Sequence, residues 1–152
     1  MEMFLAAPYM QYFTPATGVE LDFQDKVLGL VSAIQRRGVT VLSAFVRENW
    51  IADVDNPADA VDYDFRGISR AEFVMAFLEN DNPSYGVLVE IGYAAALKKR
   101  LYIISRMTQA QAPYLVTGLS AWTEAIAVEY TDDDDLYRKI DTILDNELCQ
   151  DR

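Results

Sequence analysis

The stretch from Ser84 to Leu97 reads Ser-Tyr-Gly-Val-Leu-Val-Glu-Ile-Gly-Tyr-Ala-Ala-Ala-Leu, and Glu90 is its one carboxylate. A helix apolar on nearly every side is expected to be buried. Burying a carboxylate without compensation is costly. Glu90 is therefore expected to be paired, to face a cavity, or to hold a proton. One reading is a structural acid satisfied by Arg47 or Arg66; the other is a functional acid in a cleft, where perturbed carboxyls concentrate. Ser84 stands at the expected N-cap of the same helix. Its hydroxyl and the first backbone N–H groups make an anion site, and Gly86 lets a ligand approach closely. A phosphate held there leaves the far end of a ribose near Glu90, one and a half turns further in. The plainer alternative is that Asn82-Pro83-Ser84 is only a turn and a cap.

Chemistry at the anomeric carbon of a sugar calls for a second group that orients hydroxyls or moves a proton. Asp62 and Asp64 fall late in the preceding helical stretch. Residues two apart on a helix point in different directions, so only one faces the sheet end, and Asp64 is the candidate.

These residues need elements to hold them. Met3 to Ala7 reads as a buried strand ended by Pro8, followed by a turn-rich loop from Tyr9 to Gly18. Helical patterns run from about Leu21 to Arg37, stopped by Gly38, and from Pro57 to about Arg70. Between them lie a strand, Val39 to Leu42, and an irregular segment, Phe45 to Asn56. Phe73 to Leu78 is a continuous apolar run of the kind central parallel strands carry. A loop from Glu79 to Pro83, a helix from Tyr85 to about Lys99 and a strand from Arg100 to Ile104 follow. Ala125 to Val128 is a fifth strand, and Asp132 to Leu148 a closing helix. Alternating strands and helices predict an α/β fold: a doubly wound, mainly five-stranded parallel sheet, flavodoxin-like or Rossmann-like, with helices on both faces. The whole of 1–152 is expected to be one domain. Ligands of such sheets sit beyond the carboxyl ends of the strands, which singles out the loops after Ala7, around Val46 and after Leu78.

Composition narrows the chemistry. The 152 residues include no histidine, which removes Ser-His-Asp and Cys-His catalysis, His-ligated zinc and an imidazole base. Cys149 is the single cysteine, so neither an internal disulfide nor a cysteine-metal cluster forms, and a reducing, cytoplasmic setting is expected. With Lys plus Arg at 13 and Asp plus Glu at 24, the net charge is −11. That argues against nucleic acid and anionic membranes as partners but leaves room for a small anion at a helix terminus. No run approaches the about 20 apolar residues of a membrane span. Thr131 to Asp135 is read as a cap for the last helix rather than a cation site. Trp50, Trp122 and the tyrosines are read as packing groups, and Arg36-Arg37 and Lys98-Lys99-Arg100 as cations at helix C-termini.

The strand Phe73 to Leu78 followed by Ser84-x-Gly86-x-x-x-Glu90-Ile91-Gly92-Tyr93-Ala94 resembles the core signature of the nucleoside 2-deoxyribosyltransferase-like superfamily. Within it, the chain is most similar to the CMP hydrolases of the blasticidin and mildiomycin biosynthetic type. The shared features are Phe4-Leu5-Ala6-Ala7-Pro8-Tyr9 with Thr17-Gly18, Arg47-Glu48-Asn49-Trp50, and Leu115-Val116-Thr117-Gly118-Leu119. The resemblance extends to about Val128. It implies hydrolysis of the base–ribose bond of a nucleoside 5′-monophosphate of CMP-like type. Glu90 would be the nucleophile at C1′, and Asp64 would hold sugar hydroxyls or assist proton movement. Ser84 and Gly86 would receive the 5′-phosphate, and Tyr9 would lie over the base. No metal or other cofactor is implied. A homodimer is, because the Leu115–Leu119 segment resembles the part that a neighbouring subunit inserts near the site. Two positions depart from the relatives: Ala6-Ala7 replaces glycines of the first loop, and Met10 stands where the CMP hydrolases carry an arginine, which bears on cytosine preference. Transfer of a deoxyribosyl group between bases, or nucleotide sensing without turnover, are the alternative functions.

Overall fold

Met3, Leu5, Phe73, Met75 and Phe77 point into one apolar cluster, while Phe4, Ala6, Val74, Ala76 and Leu78 point into another. Alternate residues of a strand face opposite sides of a sheet, so these two strands are covered on both. The computed structural model describes residues 1–8, 13–14, 18–19, 21–47, 56–78, 84–108 and 110–150. In chain order the strands are β1 (Glu2–Ala6), β2 (Phe13–Thr14), β3 (Gly18–Val19), β4 (Thr40–Leu42), β5 (Phe73–Leu78), β6 (Arg100–Ser105) and β7 (Ala125–Glu129). The helices are α1 (Leu21–Arg36), α2 (Ala44–Arg47), α3 (Pro57–Arg70), α4 (Tyr85–Ala96), α5 (Tyr114–Thr117) and α6 (Asp133–Gln150), with a 3₁₀ turn at Leu119–Ala121.

Five strands form one sheet in the order β4-β1-β5-β6-β7, every neighbouring pair parallel. This is the doubly wound α/β sheet expected from the alternation of strands and helices. The chain moves from β1 to β4 on one side and then returns past β1 to β5 on the other. With crossovers of one hand, that reversal sends the connecting helices to opposite faces. Accordingly α1 and α6 pack on the face of Leu5 and Met75, and α3 and α4 on the face of Phe4 and Val74. All six residues of β5 are buried, as a central strand between two helical layers requires.

Local signals place the ends. Asn56 caps α3, its Oδ1 accepting from the N–H groups of Ala58 at 3.0 Å and Asp59 at 3.1 Å, and Pro57 opens the first turn. Gly38, at φ +80°, ends α1. α4 stops at Ala96, before Lys99, because Lys98 turns into the left-handed region at φ +57°. The N–H groups of Lys98 and Lys99 then return to the carbonyls of Ala95 and Ala94, a Schellman closure built on lysine in place of glycine. Lys98 gains from it: its Nζ lies 3.1 Å from the centroid of the Trp122 ring.

Three expectations change. Within the loop Tyr9 to Gly18, β2 and β3 pair as a short antiparallel ribbon. The segment from Phe45 begins inside a four-residue helix, α2. α4, expected to be buried nearly all round, exposes Tyr85 (82%) and Val89 (55%), with Gly92 and Ala96 on the same side. Only the sheet-facing side, with Val87, Ile91, Ala94 and Ala95, is buried.

Charged groups lock the periphery. Asp132 caps α6, its Oδ1 accepting from Asp135 N–H at 2.8 Å, while Asp135 Oδ2 accepts from Thr131 N–H at 3.1 Å. Those backbone bonds hold both carboxyls below their usual range, so the acidic run caps as expected. Arg37 ties α1 to Asp141 and Asp145 of α6. At the amino ends of the strands, Arg100 reaches Glu147 at 2.7 Å and Glu124 at 2.9 Å, and the Tyr102 hydroxyl donates to Glu147 at 2.5 Å. Burial, followed by the neighbouring Glu147, raises the Tyr102 phenol. No helix among the described residues is long and apolar enough to cross a membrane.

Glu147→Ala removes the acceptor of Tyr102 and one of the two carboxylates paired with Arg100, and the expected cost is about 1.5–3 kcal/mol, read as a lowered denaturation midpoint. Neutral Tyr102 is the form the fold favours. Its contribution is complete below the unfolded phenol value near pH ~10 and is lost as pH rises beyond it. Tyr102→Phe therefore flattens the alkaline fall in stability. At the acid end the sign reverses. Asp132 and Asp135 contribute above pH ~4 and lose that contribution as pH falls through their depressed values. Asp132→Asn keeps the cap and shallows the acid limb of the thermal-melting profile.

Candidate functional site

The reversal of strand order falls at β1, between β4 and β5, and the carboxyl ends of these strands form the crevice where such sheets bind ligands. Ala7, 9% exposed, follows β1 at this edge, and Leu78 closes the neighbouring β5. α4 begins on the same edge and runs back across the sheet.

Ser84 occupies the N-cap position of α4, and its carbonyl accepts the first helical bond from Leu88 N–H at 3.0 Å. Its side chain makes no capping hydrogen bond. The hydroxyl is thus not consumed by the helix end, unlike the side chains of Asn56 on α3 and Asp132 on α6. Among the described residues a Cβ on Gly86 would meet only Ser84 Oγ, at 3.6 Å, so none of them crowds the first turn. The first turn of α4 contains no acidic residue. An anion there would meet the positive end of the helix dipole without a competing carboxylate on that turn.

Glu90 lies on the same helix, half-buried. Ile91 beside it is buried on the sheet, and Tyr93 three residues on stacks against Phe65 of α3 with ring centroids 3.8 Å apart. Helical periodicity puts Glu90 between those two directions, in the corner between α3 and the sheet. That location explains how an acid is accommodated in so apolar a helix: the helix is one-sided, and Glu90 stands at the margin of its buried side.

Asp62 and Asp64 diverge as their spacing requires. Asp62 is exposed and pairs with Arg66 at 2.9 Å. Asp64 is half-buried and lines an open groove of about 580 Å³ with Phe4, Leu42, Ser43 and Gly67. It therefore lies over the β1/β4 side of the edge, whereas α4 brings Glu90 to the β5 side. Neither carboxylate is without a partner in the chain. Gly67 sets how closely α3 approaches the sheet, since a Cβ there would come within 3.1 Å of the Phe4 ring.

Ser84, Gly86 and Glu90 share one helix, with Ala7 on the same edge and Asp64 on the adjacent helix. Tyr9, Met10, Trp50, Thr17 and the loop 79–83 lie outside the described residues, as does the side chain of Arg47. A second hollow, of about 170 Å³, lies further along the edge between Leu78, Ile103, Met107 and Val116. Two of its hydroxyls are internally engaged: Ser105 Oγ donates to the Leu78 carbonyl at 2.7 Å and Thr117 Oγ1 to that of Tyr114 at 2.7 Å. Glu129 lines it, and neither Asp64 nor Glu90 does. Among the described residues no group of three or more His, Cys, Asp or Glu side chains is arranged to hold a metal ion.

What reading the residues in order does not reveal is the pairing of Phe65 with Tyr93. The two aromatics lie on different helices and carry no local signal of contact.

Solved structures share this architecture. CMP N-glycosidase BcmB of Clostridium botulinum matches with a TM-score of 0.70 at 19% identity, over 93% of this chain and 99% of that one. BlsM matches with a TM-score of 0.74 at 29% identity, over 94% of this chain and 88% of that one. The 2-deoxyribosyltransferase of Bacillus psychrosaccharolyticus matches with a TM-score of 0.61 at 18% identity, over 90% of both chains. No curated protein matches. The nucleoside 2-deoxyribosyltransferase family model matches residues 12–138, a span that takes in α4 and the whole of the sheet except β1. The chain belongs to the nucleoside 2-deoxyribosyltransferase family, whose members are nucleoside-processing enzymes.

Proposed function

We propose that the protein is an N-glycosidase that hydrolyses the base–ribose bond of a nucleoside 5′-monophosphate of CMP-like, pyrimidine type, releasing free base and ribose 5-phosphate. The observation that carries this reading is the division of labour along α4. A helix start with an unengaged serine and an open glycine turn suits a phosphate, and a half-buried carboxylate follows one and a half turns below it on the same rigid element.

In this reading the 5′-phosphate accepts hydrogen bonds from Ser84 and the first-turn N–H groups at Gly86. Ala7, Tyr9 and Met10 of the first loop border the base. Glu90 attacks C1′ as the bond to the base nitrogen breaks. The base leaves with the bonding electrons and takes up a proton, and a glycosyl ester on Glu90 remains. Water then adds to C1′, the ester bond breaks, and the carboxylate is restored. Asp64 holds the sugar hydroxyls or takes the proton from water. The reaction needs neither metal nor redox cofactor. One domain, 1–152, carries the site, and a second copy of the chain completes the assembly. The uncharged outer side of α4, with Tyr85 and Val89, and the exposed Tyr114 (88%) and Leu115 (81%) of α5 support such a homodimer, since a copy with net charge −11 repels its partner elsewhere. Transfer of a deoxyribosyl group to a second base is the alternative, favoured by the family's own description; the glycosyl ester would then meet a base instead of water.

Incubation with each nucleoside 5′-monophosphate should release free base, followed by chromatography, and an added acceptor base should yield no new nucleoside. A new nucleoside would establish transfer, and binding without product would establish a sensor. Glu90→Ala should lower kcat by at least about 10³-fold; unchanged activity would reject the nucleophile. Ser84→Ala should leave stability within about 0.5 kcal/mol, because no capping bond is lost. Ser84→Asp should raise KM for the nucleotide about 10-fold or more through repulsion of the phosphate, with less effect on the matching nucleoside. Sedimentation should report a dimer, and Val89→Lys should shift it towards monomer.

A further inference from the structure

The proposed reaction gives Asp64 and Glu90 separate tasks on one sugar, so their separation governs the rate. They stand on different helices, and α3 meets α4 through one aromatic contact. The Phe65 and Tyr93 rings lie 3.8 Å apart at 7° from parallel. Aromatic pairs adopt face-to-face stacking less readily than offset or edge-on arrangements, so the flanking helices hold this one in place. The Tyr93 hydroxyl lies 3.2 Å from Ser69 Oγ, which donates to the Phe65 carbonyl at 2.7 Å. Phe65 follows Asp64 directly, and Tyr93 follows Glu90 by less than one turn.

One turn either side of Tyr93 on α4 stand Val89, Glu90, Ala96 and Leu97, and the two large apolar ones are largely turned to solvent, Val89 at 55% and Leu97 at 41% exposed. Below the stack, Lys99 Nζ donates to the carbonyls of Ser69 at 2.7 Å and Ala71 at 2.6 Å, joining the ends of the two helices. On its other side α3 is fixed to β1 by the Gly67–Phe4 contact. The stack is thus the spacer nearest to both carboxylates.

We propose that the Phe65–Tyr93 stack, braced by Ser69, is the positioning element that holds the carboxylates of Asp64 and Glu90 at their working separation; this rests on the roles given to those carboxylates under Proposed function. Phe65 and Tyr93 are then positioning residues that touch no substrate. Phosphate binding, which uses α4 alone, is independent of them.

The test compares Tyr93→Leu, Phe65→Leu, the double variant, Tyr93→Phe and the exchange Phe65→Tyr/Tyr93→Phe. It measures kcat and KM for base release from a nucleoside 5′-monophosphate, and Kd for inorganic phosphate by calorimetry. Tyr93→Leu and Phe65→Leu should each lower kcat about 10²-fold, the cost of a misplacement near 1 Å, with KM and Kd unchanged within about 3-fold. The double variant should be little worse than either single one, because both remove the same contact. Tyr93→Phe and the exchange should keep kcat within about 3-fold of wild type. The inference is overturned if Tyr93→Leu keeps wild-type kcat, if Kd for inorganic phosphate weakens in step with kcat, or if Tyr93→Phe falls as far as Tyr93→Leu. Should Tyr93→Leu fail to fold, Phe65→Leu and the exchange decide by the same criteria. A wild-type protein that releases no base, or a fully active Glu90→Gln, sinks the proposed reaction itself. An active, Glu90-dependent enzyme indifferent to the stack sinks only the positioning role.

Discussion

The strand that organises this molecule is β1, because the chain leaves it towards β4 and comes back past it to β5. A parallel sheet leaves its strand ends as the one place where backbone polarity, loop residues and helix starts converge. Reversing direction at β1 sends the connecting helices to opposite faces and so separates the two helical layers there. The described candidate residues are placed about that reversal: Ala7 at the end of β1, Asp64 on the helix that returns over it, and Ser84, Gly86 and Glu90 on the helix that leaves β5. The two clusters of apolar side chains alternate residue by residue along β1 and β5, so a one-residue slip would exchange the side chains of the two cores and mispack both.

The helix α4 answers two demands that conflict. Towards the sheet it needs small or apolar groups, and Val87, Ile91, Ala94 and Ala95 supply them. At its start it needs accessible N–H groups, and Gly86 keeps the space around them open. Glu90 is tolerated because it lies at the border of the buried side, where a carboxylate keeps access to polar surroundings while losing part of its water. Moved one residue on, to Ile91 (2% exposed), the same carboxylate would face the hydrocarbon of β5 and β6. Moved one back, to Val89, it would be an ordinary solvated acid.

How much of this was legible in order along the chain depends on whether the signal was local. β5 and α3 are matched at both ends, β5 because an apolar run of strand length is bounded by polar residues, α3 because Asn56 and Pro57 write its start chemically. The divergence of Asp62 and Asp64 follows from helical spacing alone, and Asp62 duly turns outward to Arg66. The outer side of α4 was misread because hydropathy reports what a residue favours, not which neighbours the fold provides; Tyr85 and Val89 are apolar and exposed. α2 and α5, of four residues each, are too short to show a period. The stop of α4 at Lys98 was missed because the left-handed turn there is made by a lysine held over Trp122, where a glycine would have announced it. The Phe65–Tyr93 contact joins two helices across β5, and nothing adjacent to either residue signals it.

An acidic protein that holds an anion must do so at short range. The far field of a chain with net charge −11 opposes a phosphate. Screening confines that opposition to about 8 Å at physiological ionic strength. Within that distance the local arrangement decides, and among the described residues the carboxylates at and in α6 are directed elsewhere. Asp132 and Asp135 are bound into the start of α6, Asp141 and Asp145 are paired with Arg37, and Glu147 is buried with Arg100 at the amino ends of the strands. α4 is the long helix whose first turn carries no acid and whose capping hydroxyl is not consumed by the backbone. The helices α3 and α6 end in side chains that close them, and α4 begins in one that leaves it open. That contrast, more than the total charge, supports the phosphate site proposed at the start of α4.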